Sequence, residues 1–259
     1  MDQYEIFKKN INELIGIDLN LYKEKQMLRR ITSLMRRNGF SDFIEYYNKL
    51  KVDKELLDQF VNYLTINVSE FFRNISQWKV LEEDILPNLI KSANKKSLSV
   101  WSSACSTGEE AYSLAMLFTK FYNLDKIKIL ATDIDVSALN KAREGVYDEK
   151  ALKNVPKEFV VKFFKKNKNQ YRIKDEIKKT VDFRKIDLLK DPFPQNIDLI
   201  LCRNVMIYFT NDAKDLLYKK FYNSLSDYGV LFVGSTEQIL LPEKYNLKPI
   251  KTFFYTKIK

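Results

Sequence analysis

A strand, a turn of small residues, a helix, a second strand and an acid follow one another between residues 98 and 135, and few folds accept that order. Leu98-Ser99-Val100-Trp101 is a short apolar run that opens into Ala104-Cys105-Ser106-Thr107-Gly108-Glu109-Glu110. A helical pattern follows at Tyr112, Leu114, Ala115, Met116, Leu117 and Phe118. A second apolar run, Ile127 to Ala131, then ends in Thr132-Asp133-Ile134-Asp135. Such a unit implies parallel strands that bind a nucleotide-type cofactor at their carboxyl ends.

The same grammar continues downstream. Strands are expected at 98–103, 127–132, 180–186, 197–202 and 229–234, with helices at 109–122, 136–144 and 212–225, and a terminal antiparallel pair between Tyr245 and Ile258. Alternation of this kind predicts a mostly parallel α/β sheet covered by helices on both faces. Residues 1–65 carry no strand signal. Phe7, Ile11, Leu14 and Ile15 have helical spacing up to Gly16, Asn38-Gly39 closes a second helix, and Ser41 reads as the cap of a third. Between Gly145 and Thr180 the rhythm stops. Lys165, Lys166, Lys168, Arg172, Lys174, Lys178 and Lys179 crowd there, and Tyr171-Arg172-Ile173 and Ile177 read as short edge strands of an insertion. Lysines on such edges block strand-to-strand association as readily as they bind a partner.

Several function classes fall away on composition. The 259 residues contain no histidine, which removes Ser-His-Asp triads, Cys-His nucleophile pairs and His-dependent zinc sites. No metal is expected. Cys105 and Cys202 sit at strand ends as small buried thiols, and with no apolar run of spanning length and no leader the expected compartment is the cytoplasm. The net charge is +10, yet residues 1–72 carry 11 Lys/Arg against 11 Asp/Glu. Within that neutral part, Lys25, Arg29, Arg30, Arg36 and Arg37 fall on one side of a helix over 23–37, and Leu28, Ile31, Leu34 and Met35 on the other. A solvated face and a surface for an acidic partner both account for this pattern.

The first turn of the sheet narrows the cofactor. It has one glycine, where a dinucleotide fingerprint has three, and it lacks the Gly-Lys-Ser/Thr of a phosphate loop. Glu109 and Glu110 open the helix, where they suit its dipole but repel a pyrophosphate. Asp133, at the end of the second strand, is placed to hold two ribose hydroxyls. A nucleoside without phosphate and with a positive centre fits this set, and S-adenosylmethionine is such a ligand.

The chain also resembles the chemotaxis receptor methyltransferases, the CheR family, nearly end to end. The resemblance is carried by Leu64-Thr65-Ile66-Asn67-Val68-Ser69-Glu70-Phe71-Phe72-Arg73, by Trp101 to Ser113, by Ala131-Thr132-Asp133-Ile134-Asp135, by Cys202-Arg203-Asn204-Val205-Met206-Ile207-Tyr208-Phe209 and by Gly234-Ser235-Thr236-Glu237. Ala111 stands where the family often has proline, a tolerable change in a first helical turn. The resemblance implies a small all-α domain with linker (1–72), then a Rossmann-like S-adenosylmethionine-dependent methyltransferase domain (73–259) with a small β-subdomain insertion at about 146–180.

It further implies cofactor contacts from Asn67, Ser69, Arg73, Glu109, Asp133, Asp187, Leu188, Arg203 and Asn204, with Arg73 and Tyr208 orienting the acceptor. Asn67 read alone is a turn residue, and Arg73 a surface cation. The sequence leaves open how Glu109 and Glu110, or Asp133 and Asp135, share their duties. The implied reaction is methyl transfer from S-adenosylmethionine, leaving S-adenosylhomocysteine, to glutamates of chemoreceptors. The implied partner is the receptors' cytoplasmic helical bundle, met by a monomer at receptor arrays on the membrane, without insertion and without nucleic acid. A nucleic-acid methyltransferase is the competing reading of the basic charge, but the Asn/Asp-Pro-Pro-aromatic element expected after the fourth strand is absent. A non-catalytic receptor-binding homologue is the other.

Overall fold

The computed structural model describes residues 2–258. These divide into two compact units, Met1–Asn67 with Met206–Leu216, and Val68–Val205 with Leu217–Lys259. The first is built from α1 (Gln3–Ile15), α2 (Glu24–Arg37), α3 (Phe43–Val52) and α4 (Lys54–Leu64). Aspartates start three of them: Asp2 accepts from the Tyr4 N–H, Asp42 from Ile44 and Glu45, and Asp53 from Leu56. The cap of α3 is therefore Asp42 rather than Ser41, because Asp42 has the extended backbone that turns its carboxylate onto the first helical N–H groups. Gly39, at φ +84°, ends α2, and the Phe40 N–H reaches back to the Met35 carbonyl. Phe7, Ile11, Ile31, Tyr46, Leu50 and Phe60 make the core.

A late segment completes this unit. Tyr22 and Phe209 form an antiparallel bridge, flanked by Lys23 N–H to the Tyr208 carbonyl and Thr210 N–H to the Leu21 carbonyl, both 2.9 Å. Their rings meet edge to face at 5.1 Å.

The second unit begins with α5 (Ile75–Val80), a π-helical turn (Leu81–Ile85) and α6 (Leu86–Ala93). Strands β1 (Val100–Ser102) and β2 (Ile129–Asp133) are separated by α7 (Glu109–Phe118), and α8 (Val136–Glu144) follows. A three-stranded antiparallel sheet then interrupts the alternation. It pairs β3 (Val146–Asp148) with β5 (Gln170–Ile173) and β5 with β4 (Phe164–Asn167), flanked by α9 (Lys157–Phe163) and α10 (Asp175–Lys178). Ile177 lies in α10, not in an edge strand; its helical turn leaves it buried.

The main sheet resumes with β6 (Val181–Lys185) and β7 (Ile197–Cys202). After α11 (Asn211–Ser224) come β8 (Leu225–Val233), β9 (Leu247–Lys251) and β10 (Phe254–Lys257). Its order is β6-β2-β1-β7-β8-β10-β9, parallel as far as β8 and antiparallel from β10. Every residue of β7 is buried, as a strand covered on both faces requires. This is the expected Rossmann-like arrangement preceded by an all-α part.

The two units part after Asn67 rather than after Phe72. Phe71 and Phe72 are buried in the second unit, 4.8 Å from the Tyr147 ring and 5.1 Å from the Trp78 ring respectively. Among the described residues no helix is long and apolar enough to cross a membrane.

Candidate active site

The carboxyl ends of β1, β2, β6 and β7 carry the turns in which the chemistry-bearing residues collect. After β1 the chain is held from both neighbours: the Ser103 N–H donates to the Leu201 carbonyl (2.8 Å) and the Cys105 N–H to the Thr132 carbonyl (2.9 Å). Ser106 then takes a left-handed conformation, φ +47°, and its N–H meets Asp133 Oδ2 at 2.7 Å. Gly108 at φ +95° is required for space as well as for conformation, since a Cβ there would lie 2.8 Å from the Ala142 Cβ.

The two acids opening α7 diverge. Glu109 accepts from Thr107 Oγ1 (2.7 Å) and from the Ser69 hydroxyl, and burial raises its pKa against those two hydrogen bonds. Glu110 turns inward, accepting from Ser102 Oγ (2.8 Å) and from Arg203 Nη1 (3.1 Å). The acids after β2 diverge too. Asp135 caps α8, accepting from the Ser137 and Ala138 N–H groups. Asp133 accepts from the Ser106, Ile134 and Asp135 N–H groups, yet burial outweighs these bonds and pushes its pKa up to about 6.

Arg203 is spent inside the second unit. Besides Glu110 it donates from Nη2 to the Arg73 carbonyl (2.7 Å), Gln77 Oε1 (3.1 Å) and Asn74 Oδ1 (3.3 Å), with its guanidinium over the Phe232 ring at 4.6 Å. Its side chain holds the chain at 73–77. Arg73 itself is half-buried and donates from Nη1 to the Val68 carbonyl at 3.0 Å.

Asn204, φ +61°, is fixed by Glu237, whose Oε2 accepts from the Asn204 N–H (2.5 Å) and from the Gly234 N–H (3.0 Å). That carboxylate ties the ends of β7 and β8 together, a role the sequence motif quotes but does not disclose. Asp187 accepts from the Leu189 N–H and donates its own N–H to Asp191, while Leu188 is buried and its carbonyl accepts from Lys220.

Ser69, Arg73, Glu109, Asp133, Asp187, Leu188, Arg203 and Asn204 thus share one unit. Asn67 and Tyr208 belong to the other, where the Asn67 amide donates to Thr65 Oγ1 (3.1 Å) and the Tyr208 carbonyl accepts from Lys23. On α2, Lys25, Arg29, Arg36 and Arg37 are exposed. Arg30 is half-buried, donates to the Tyr63 carbonyl and stacks on the Tyr63 ring, so its charge is partly withdrawn from that face.

The donor set fits a phosphate-free, cationic nucleoside. Two buried carboxylates, Glu109 and Asp133, flank the turn, and the N-terminus of α7, which could otherwise cradle a phosphate, is neutralised by its own glutamates. A sheet of this order with such a turn defines a Rossmann-like S-adenosylmethionine-dependent methyltransferase.

The comparisons with known proteins agree. Residues 67–254 match the CheR methyltransferase, SAM binding domain, and residues 2–65 the CheR methyltransferase, all-alpha domain; the chain belongs to the CheR methyltransferase family. It is 42% identical over 254 residues to a chemotaxis protein methyltransferase of Listeria innocua, covering 98% of this chain and 97% of that protein. A chemotaxis protein methyltransferase of Borreliella burgdorferi is 36% identical, covering 90% of this chain and 89% of that protein. Chemotaxis protein methyltransferase 1 of Pseudomonas aeruginosa is 31% identical, with 94% and 93% covered.

Proposed function

We propose that this protein methylates glutamate side chains of chemoreceptors, forming glutamyl methyl esters for chemotactic adaptation. The observation that carries the reading is the pair of buried carboxylates, Glu109 and Asp133, gathered around one small-residue turn in a chain matched along almost its whole length by CheR domains. Asp133 is the acceptor for two ribose hydroxyls, Glu109 the acid facing the cationic end, and Asp187 and Leu188 the wall beside the base. Asn67, Ser69 and Asn204 complete the set, and the Arg203 backbone shares the Asn204 turn.

When bound, S-adenosylmethionine supplies an electrophilic methyl group on a sulfonium. A glutamate with a pKa of about 4.3 is already ionised at neutral pH, so the chain has no proton to remove. An enzyme without histidine needs only to place the carboxylate oxygen in line at near-attack distance. Arg73 and the Tyr208 hydroxyl are the groups that orient that carboxylate. Arg73 must position it without binding it so tightly that the oxygen loses nucleophilicity. The exposed cations Lys25, Arg29, Arg36 and Arg37, with Arg30 beneath them, dock on the acidic helical bundle of the receptor.

The deciding experiment is transfer of radiolabelled methyl from S-adenosylmethionine to a purified chemoreceptor cytoplasmic fragment, followed by base. Volatile methanol supports the glutamyl ester. Base-stable label on the protein means another acceptor atom, and no transfer despite cofactor binding means a different partner or a non-catalytic homologue.

A further inference from the structure

The inserted three-stranded sheet contributes a side chain to the wall of the cofactor turn. We propose that Tyr147, on β3, is a positioning residue that sets the backbone of the turn at Thr107-Gly108 and through it Glu109. The proposal rests on the reading of that turn as the S-adenosylmethionine site. The Tyr147 side chain is buried, and its hydroxyl donates to the Thr107 carbonyl at 2.8 Å. The same residue, Thr107, donates from Oγ1 to Glu109 Oε2 at 2.7 Å, so a single residue connects the tyrosine to the acid.

The ring is itself wedged. It meets Phe71 edge to face at 4.8 Å and Tyr112 at 6.4 Å. Phe71 belongs to the linker that brings Ser69 to Glu109, and the neighbouring Phe72 N–H donates to Ser113 Oγ, which donates in turn to the Glu109 carbonyl. Glu70 in the same linker is bonded to Lys153 (3.0 Å) and Asn154 (3.4 Å), within the insertion. Linker, insertion and turn therefore meet at Tyr147. The left-handed Gly108 cannot fix its own conformation, because glycine is permissive there. Its N–H donates to the Cys105 carbonyl and its carbonyl accepts from Tyr112, and the Tyr147 hydroxyl, 3.1 Å from where its Cβ would stand, adds a further constraint.

A positioning role separates from a structural one by comparing two tyrosines. Tyr112 also makes a buried O–H to carbonyl bond, to Ala142 at 2.8 Å, but its acceptor lies in α8 and not in the turn. Tyr147→Phe and Tyr112→Phe each delete one such bond and keep the ring, so both should fold and melt within a few degrees of each other. Calorimetric titration with S-adenosylmethionine and S-adenosylhomocysteine is expected to show a Kd about fivefold higher for Tyr147→Phe, about one hydrogen bond's worth. Tyr112→Phe should stay within about twofold of wild type, and kcat at saturating cofactor should be little changed in both. Equal shifts in the two variants, or none in Tyr147→Phe, would overturn the proposal. A wild-type protein that binds neither ligand would overturn the cofactor reading, and this one with it.

Discussion

Buried aspartates stand at opposite ends of the main sheet, and they are treated differently. At the amino end, Asp198 of β7 is fully enclosed and fully used: Lys95 Nζ reaches both oxygens (2.7 and 2.9 Å), the Ser99 N–H one of them and Ser226 Oγ the other. At the carboxyl end, Asp133 accepts from the backbone N–H groups of Ser106, Ile134 and Asp135, and burial pushes it up to about 6. The cations repeat the contrast. Arg203 donates to four oxygens inside the second unit, whereas the half-buried Arg73 guanidinium donates to the Val68 carbonyl. A buried carboxylate matched by a cation holds the fold together; one whose proton affinity is raised beside a small-residue turn marks where a ligand belongs.

Substitutions can break this contrast, and the arginines give the largest effects. Removing Arg203 with Arg203→Met leaves Glu110 buried without its cation and should lower stability by about 3–5 kcal/mol in urea melts. By contrast, Arg73→Ala should melt like wild type yet lose about 100-fold in kcat on a receptor fragment, the scale of a misplaced reacting group. Normal turnover in Arg73→Ala would remove it from the catalytic assignment.

The aspartates come next. Asp133→Asn should weaken S-adenosylmethionine binding by roughly 10- to 100-fold in calorimetry, as expected for hydrogen bonds to a charged group, with little change in melting. Asp198→Ala should do the reverse, costing about 1–3 kcal/mol of stability for the stranded Ser99 and Ser226 donors at unchanged Kd.

A milder probe is pH. Asp133 in the free protein takes up a proton as pH falls through about 6, so affinity for the cofactor should be flat above pH 7 and decline below 6. The slope should approach tenfold per unit, and Asp133→Asn should lose that component. The smallest effect is expected on α2, where Arg29→Glu with Arg36→Glu should raise the receptor KM several-fold without altering cofactor affinity.

Much of this contrast was legible in the residues, and the part that was not has definite causes. The apolar stripe of α2, its stop at Gly39 and the strand–turn–helix order around Gly108 are local patterns, and each has its expected counterpart in the structure. Adjacent acids are harder. Glu109 and Glu110 differ by 100° around a helix, so one faces the turn and the other the interior, but which does so depends on Arg203, 93 residues away. Asp135 is a helix cap and Asp133 a strand end, a distinction that hangs on where β2 stops. Four residues of α10 are too few to show a helical period, which is why Ile177 read as strand. Tyr147 sits in the stretch where the alternation fails, and nothing near it in sequence hints at the Thr107 carbonyl.

The bridge between Tyr22 and Phe209 has a consequence for the order of events during synthesis. The helices up to Leu64 leave the ribosome long before the segment at 206–216 that completes their unit. At about 5–20 residues per second, that interval is on the order of ten seconds. During it the Leu21 carbonyl and the Lys23 N–H lack the partners they later find in Thr210 and Tyr208. The nascent amino-terminal bundle is therefore completed only after β1, β2, β6 and β7 of the sheet have been made. A fragment ending near residue 67 should be less stable than its helices alone suggest, and adding the 206–216 peptide in trans should protect the Lys23 amide from hydrogen exchange.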